Sequence, residues 1–299
     1  MSFISHLHES LSTSRFTITG ELTPPKGVNV NEVIEGAKAL KDYVVAVNVT
    51  DNPTSRVVMS TLATCHLIEE KAGLETIYQI TCRDRNRLAL QSDILAANAL
   101  GIKNILVLTG DYITMGDHPE AKPVFDLDSV QLLYTIKKMT EEGVDLSGKK
   151  LNQPPKIYVG AAVNPGLDPL EPEIIKLEKK VEMGANFFQT QCIYDASVVD
   201  NFLSQISHLN VKILVGITPL MSAGMAKWMR KNCPGVIIPD YMIDRLKKAE
   251  DKIEEGIKMM VEVVKELSTM KISGFHVMVP ERPDLVLRMV KAIRNVLSL

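Results

Sequence analysis

The chain has 299 residues, of which 45% are hydrophobic and 23% charged, a balance that excludes a disordered chain, a collagen and a disulfide-rich mini-protein. Lys plus Arg (34) nearly matches Asp plus Glu (36), leaving a formal net charge of −2 and no electrostatic basis for binding nucleic acid or an anionic membrane. The apolar runs, such as VVAVNV at 44–49, fall well short of the roughly 20 residues of a membrane helix, and the N-terminus lacks a signal-peptide pattern. Cys65, Cys82, Cys192 and Cys233 form no CxxC pair, so reduced thiols in a cytoplasmic protein are expected, with no metal site.

In chain order, His6 and His8 stand near an end expected to fray. The first β-branched run is FTITGEL (16–22). The stretch 31–41 has helical spacing, with Asn31 as the expected cap and Val33, Ile34, Ala37 and Leu40 on one face. VVAVNVT (44–50) and TIYQITC (76–82) follow, then a helical stretch over 86–100 with Leu88, Ile94, Leu95 and Leu100 as its apolar stripe. NILVLTGD (104–111) leads into 112–129, about eighteen residues with Gly116, Pro119, Pro123 and a solvated His118, long enough to be a lid or binding loop. KIYVGAAVN (156–164) precedes a helix carrying Lys179 and Lys180, whose default reading is a solvated face. FFQTQCIY (187–194) and KILVGITP (212–219) come next, then the charged helix surfaces KWMRK and RLKKAEDK. A helix over 249–268 shows Ile253, Ile257, Met260, Val261, Val264 and Leu267. GFHVMVP (274–280) precedes a last helix with Leu285, Val286, Met289, Val290, Ile293, Val296 and Leu297 on one face.

Most of the eight runs are continuously apolar, as in strands buried on both faces of a parallel sheet. Eight strand–helix alternations predict an α/β fold, a (β/α)8 TIM barrel forming a single domain over 1–299. An open doubly wound sheet would show a glycine-rich first turn, and no GxGxxG follows any strand. Barrels of this type carry their chemistry at the C-terminal ends of the strands. There the sequence places Glu21, Asn48, Thr50, Gln79, Thr81, Asp111, Asn164, Gln191 and, after strand eight, Arg282. A carboxylate walled by apolar groups retains its proton more readily, which suits Glu21 as a proton donor. Gly110, before Asp111, marks either a close backbone approach to a ligand or a tight turn.

ITGELTPPKG (18–27), QITCRDRNR (79–87), LVLTGDY (106–112), KKVEMGANFFQTQCIYD (179–195), VGITPLMS (215–222) and VPERP (279–283) occur in an order that resembles the methylenetetrahydrofolate reductase family across nearly the whole chain. The resemblance implies a flavin-binding barrel that passes hydride from reduced flavin to 5,10-methylenetetrahydrofolate, giving 5-methyltetrahydrofolate. It implies Glu21, Asp111 and Gln191 as the catalytic set: Glu21 as the acid that opens the methylene bridge, Asp111 beside the flavin pyrimidine and the folate, and Gln191 on the pterin. Tyr194 and Arg282 join Glu21 and Gln191 as substrate-binding residues. Asn48, Thr50, Gln79, Thr81, Thr109, Gly110, Asp111, Phe125, Asp126, Ala162, Asn164 and Lys180 are implied at the cofactor. Thr109 stands where the family often has an arginine for the flavin phosphates, and a histidine common after strand five is replaced near Asp168, so FMN is an alternative to FAD. Met221, Ser222, Ala223 and Gly224 occupy the stretch where an aromatic residue stacks nicotinamide in the family. The electron donor is therefore either NAD(P)H or a partner electron-transfer subunit, in an oligomer or hetero-complex. A flavin-free pterin-binding barrel of the methyltransferase type and a non-catalytic docking subunit are the competing readings.

Overall fold

The computed structural model describes residues 3–13 and 15–299. Eight parallel strands close into a barrel in chain order, each paired with its sequence neighbours and β1 with β8: β1 (Thr17–Leu22), β2 (Ala46–Val49), β3 (Thr76–Thr81), β4 (Asn104–Leu108), β5 (Tyr158–Val163), β6 (Phe187–Cys192), β7 (Lys212–Ile217) and β8 (Gly274–Val277). All eight expected runs are strands, and most read as continuously apolar because their outward faces are covered by helices while their inward faces fill the lumen. Around them, among the described residues, lie α1 (His6–Ser12), α2 (Asn31–Leu40), α3 (Thr61–Ala72), α4 (Arg87–Ala99), α5 (Ser129–Lys137), α6 (Glu171–Glu182), α7 (Ala196–Gln205), α8 (Ala223–Asn232), α9 (Asp240–Lys248), α10 (Lys252–Leu267) and α11 (Pro283–Leu297). No described helix is long and apolar enough to cross a membrane.

The lumen is stacked in layers. At the N-terminal end, Ala46, Ile77, Leu106, Tyr158, Phe187 and Leu214 pack with Leu7 and Leu11 of α1. The end expected to fray is therefore a plug. Ser5 Oγ caps α1 through His8 N and donates to Asn104 Oδ1, Glu75 accepts from His6 N and Leu7 N, and the His8 ring stacks on Tyr158 at 4.5 Å. Higher up, Asn48 and Gln189 exchange two amide hydrogen bonds of 2.7 and 3.0 Å. β2 and β6 face one another across an eight-strand ring, so this pair spans the lumen and floors the space above it.

Three local expectations need correction. Asn31 is the first residue of α2 and Val30 its cap, with no side-chain cap bond; the Asn29 side chain accepts from Asn31 N instead. In α4 the buried stripe is Leu90, Ile94 and Ala97, whereas Leu88, Leu95 and Leu100 are exposed. Lys180 is buried while its neighbour Lys179 is exposed, because α6 turns the first toward β5 and the second to solvent.

Candidate active site

The loops after β1, β2 and β8 enclose a cleft of about 520 Å³ at the C-terminal face, lined among others by Glu21, Pro24, Pro25, Arg56, Glu281 and Arg282. That volume is in the range of small-molecule and cofactor sites. Glu21 joins the cleft to the lumen. Its side chain is 11% exposed, with Oε2 3.4 Å from Gln79 Nε2 and 3.6 Å from His276 Nε2. The strand period puts Glu21 and Thr19 on the same inward face of β1, and the register pairs Glu21 with Asn48 and Thr19 with His276.

The wall beside Glu21 is braced by charge. Asp51, just past β2, is buried and accepts from Thr81 N (2.9 Å), Thr81 Oγ1 (2.8 Å), Thr61 Oγ1 (3.2 Å) and both terminal nitrogens of Arg85 (2.7 and 3.2 Å). Burial alone would lower the Arg85 pKa, but the hydrogen bond and charge of Asp51 hold it above the usual guanidinium value. Arg83 is 1% exposed and binds Asp84, Ser55 Oγ and Asn52 O. The loop it supports is strained: Asn52, Thr54 and Ser55 have φ of 42°, 52° and 56°, and Phe125 and Glu281, also at this end, have 40° and 58°. Such non-glycine strain concentrates at functional sites.

Asp111 stands on the exposed rim rather than in the cleft lining. Its Oδ2 accepts from Thr54 N at 3.0 Å, and Ser55 Oγ donates to the Asp111 and Tyr112 carbonyls. Gly110 owes its place to a turn: φ is 100°, and a Cβ there would lie 2.9 Å from Arg83 Cβ and 3.2 Å from Thr81 Cβ. The long 112–129 segment is tied down. Asp117 pairs with Lys26 of the β1 loop, accepts from Val57 N of the β2 loop and contacts His118. Hydrogen bonds from Lys26 and His118 hold its pKa well below the usual carboxylate range.

The remaining expected site residues divide into two groups. Gln79 (7% exposed) on β3, Asn48 (0%) on β2 and Thr50 (5%) just past β2 are gathered together, and Thr50 Oγ1 is buried with no hydrogen-bond partner among the described residues. Gln191 lies on a bulge of β6 between Gln189 and Cys192, a device that re-aims side chains near sites; its Oε1 accepts from Cys192 N at 2.9 Å. Ala162 is half-buried at the inward end of β5. Lys180 Nζ donates to its carbonyl at 2.5 Å, and burial lowers the Lys180 pKa to about 8. Asn164 Nδ2 donates to Pro234 O, tying the β5 loop to the turn before α9. Arg282 lines the cleft while chelating Asp284 at 2.8 and 2.7 Å.

The structure does not bring the other residues to the opening. Tyr194 is 1% exposed in the outer core, its hydroxyl 3.8 Å from Met229 Sδ of α8. The Thr81 side chain is spent on Asp51. Asp126 is held by Arg87 at 2.8 Å, which keeps its pKa down to about 2. Thr109 is half-buried in the turn after β4. Four interior residues were not singled out from sequence: Thr19, Gln189, His276 and the brace Asp51. The alternation in GFHV and FFQTQ was the available signal, since it turns His276 and Gln189 inward.

Fold and site together define a (β/α)8 barrel protein with a carboxylate-centred polar cleft at its C-terminal face. The family described as methylenetetrahydrofolate reductase matches residues 6–294, and the chain belongs to that family. It is 25% identical over 293 residues to 5,10-methylenetetrahydrofolate reductase of Salmonella typhimurium, covering 92% of each chain. It is 26% identical over 228 residues to methylenetetrahydrofolate reductase 1 of Schizosaccharomyces pombe, covering 71% of this chain and 34% of that protein; the chain thus spans about a third of the length of its yeast relatives. Among solved structures, an uncharacterised protein from Clostridium thermocellum that binds two copies of 5-methyl-5,6,7,8-tetrahydrofolic acid superposes with a TM-score of 0.65 at 16% identity, over 98% of this chain and 100% of that one. That likeness is one of fold.

Proposed function

We propose that this chain reduces 5,10-methylenetetrahydrofolate to 5-methyltetrahydrofolate, with a flavin as hydride donor and Glu21 as general acid, and that residues 1–299 act as one catalytic barrel. The observation that carries the reading is the position of Glu21: a carboxyl group largely withdrawn from water, supported on one oxygen by uncharged Gln79, and open to a cleft of cofactor size. Family membership and bacterial relatives matched along nearly their whole length support it.

The chain's own residues fit a flavin. The unpartnered Thr50 hydroxyl is a buried polar group that costs free energy until something bonds it, and a flavin ring edge offers both donors and acceptors. Among the described residues Lys180 has one protein acceptor for its three N–H bonds, leaving donors for a phosphate. When bound, the flavin supplies the hydride. Glu21 delivers its proton to the leaving nitrogen of the methylene bridge, which opens the ring and leaves an iminium carbon to accept hydride. Gln191 and Arg282 hold the folate, and the negative charge of Asp111 at the rim favours the cation. Electrons come from NAD(P)H or a partner electron-transfer subunit, and the four free thiols suit a cytoplasmic setting.

The test is the visible spectrum of the purified chain, with mass spectrometry of the released cofactor and anaerobic addition of methylenetetrahydrofolate to the reduced form. A blue-region flavin band that returns on folate addition supports the reading, and the released mass separates FAD from FMN. A chain that binds methyltetrahydrofolate stoichiometrically yet never takes up flavin would belong to the pterin-binding methyltransferase type instead.

A further inference from the structure

We infer that His276 is a positioning residue for Glu21: with Thr19 it fixes which carboxyl oxygen carries the proton. The inference rests on Glu21 being the acid. His276 is 1% exposed, and its two ring nitrogens face two different groups of β1. Nδ1 is 2.9 Å from Thr19 Oγ1, and Nε2 is 3.6 Å from Glu21 Oε2. The Thr19 hydroxyl has no other hydrogen-bond partner among the described residues. When it donates to Nδ1, the neutral imidazole must carry its proton on Nε2, facing Glu21.

Glu21 Oε2 then sits between two N–H donors, His276 Nε2–H and the Gln79 amide. Both distances are long for hydrogen bonds, as catalytic contacts commonly are before substrate binds. An oxygen flanked by donors is an acceptor. In the acid form of Glu21 the proton therefore sits on Oε1, for which the described residues supply no partner, and that oxygen is free to serve the substrate. After the proton leaves, the same two donors stabilise the carboxylate.

The surroundings leave this pair alone. On β7 the register partner of His276 is Gly216, which has no side chain, and from β6 the nearest titratable group is Cys192. Burial pushes the Cys192 thiol up to about 12, so it stays neutral. Among the described residues, Glu21 is the one carboxylate within ion-pair distance of His276.

Two substitutions separate the ring's two ends. In His276→Gln the amide nitrogen reaches the place of Nε2 and retains the donor toward Glu21. In His276→Asn the shorter amide retains a partner for Thr19 and loses that donor. In the flavin-loaded protein, His276→Asn is expected to slow folate-dependent flavin reoxidation by about ten- to a hundredfold, with folate affinity within about threefold, while His276→Gln stays within about threefold of wild type. The alkaline limb of the pH–rate profile moves up by about one unit in His276→Asn, because the carboxylate loses a donor. Without turnover, the infrared titration of the Glu21 carboxyl, taken as the difference against Glu21→Gln, shifts the same way. A purely structural histidine predicts the two variants to behave alike, with no change in either pH profile, and that result overturns the inference. If Glu21→Gln itself retains full reoxidation, the acid assignment fails instead.

Discussion

The N-terminal plug makes a quantitative prediction through Leu7→Ala. Leu7 is fully buried against Ile77, Leu106, Tyr158 and Phe187. The substitution removes three carbons, about 2.4 kcal/mol of transfer free energy at ~0.8 kcal/mol per methylene. The hole cannot close easily, since a hydrogen-bonded barrel wall surrounds it and stacked Tyr158 and Phe187 rings (5.3 Å) fill its floor. The cavity contribution raises the expected loss to about 3–4 kcal/mol, within the range of about 2–5 kcal/mol known for buried leucines. Urea unfolding should show that decrease, and Tm should fall by roughly 5–6 °C for a chain of this size. Ligand affinity at the opposite end of the barrel should stay within about twofold. A loss below about 1 kcal/mol would mean that α1 is not part of the folded core, and the layered account of the lumen would fail.

Asp51→Asn keeps the side-chain shape but removes the charge that Arg85 and Thr81 surround. Arg85 retains Asp93 at 2.8 Å, so the loss should lie near the lower end of the range for a broken buried pair, about 3 kcal/mol, read by the same urea titration. The lowered Lys180 pKa of about 8 predicts that flavin affinity weakens by up to tenfold per pH unit above 8, as the ammonium loses its proton; Lys180→Met should flatten that dependence in a fluorescence titration, and a flat wild-type profile would remove Lys180 from the cofactor. Without cofactor the sign is opposite. The unfolded lysine binds its proton up to its ordinary value near 10.5, so this residue adds stability as pH rises from about 8 toward 10.5, which a Tm series across that window measures against Lys180→Met.

The barrel was legible because its strands are buried on both faces and most therefore read as unbroken apolar runs, and because helices such as α11 repeat Leu285, Met289 and Ile293 at helical spacing. The plug was not legible: HLHESLS carries only two apolar residues, Leu7 and Leu11, and they become core only because the barrel end they fill exists. The α4 stripe was misplaced for a related reason. Leu88 and Leu95 share the helix with Leu90 and Ile94, and hydrophobicity alone does not say which face meets the sheet. Strand-end position was enough to gather Glu21, Asn48, Thr50 and Gln79 toward one end of the barrel, but not to say what their neighbours do with them. Thr81 is drawn to Asp51 and Asp126 to Arg87, and both partnerships join segments far apart in sequence. His276 was hidden within a four-residue strand, where its value comes from a register with Thr19 that only the closed barrel creates.

Glu21 as the group that protonates the folate is open to a direct kinetic measurement. Anaerobic stopped-flow of the reduced flavoprotein against methylenetetrahydrofolate tests it in Glu21→Gln, whose amide is close in shape but cannot act as the acid. If Glu21 is the acid, flavin reoxidation is slowed by at least about a hundredfold, with flavin content and reduction by the donor as in wild type. Reoxidation at the wild-type rate would contradict it.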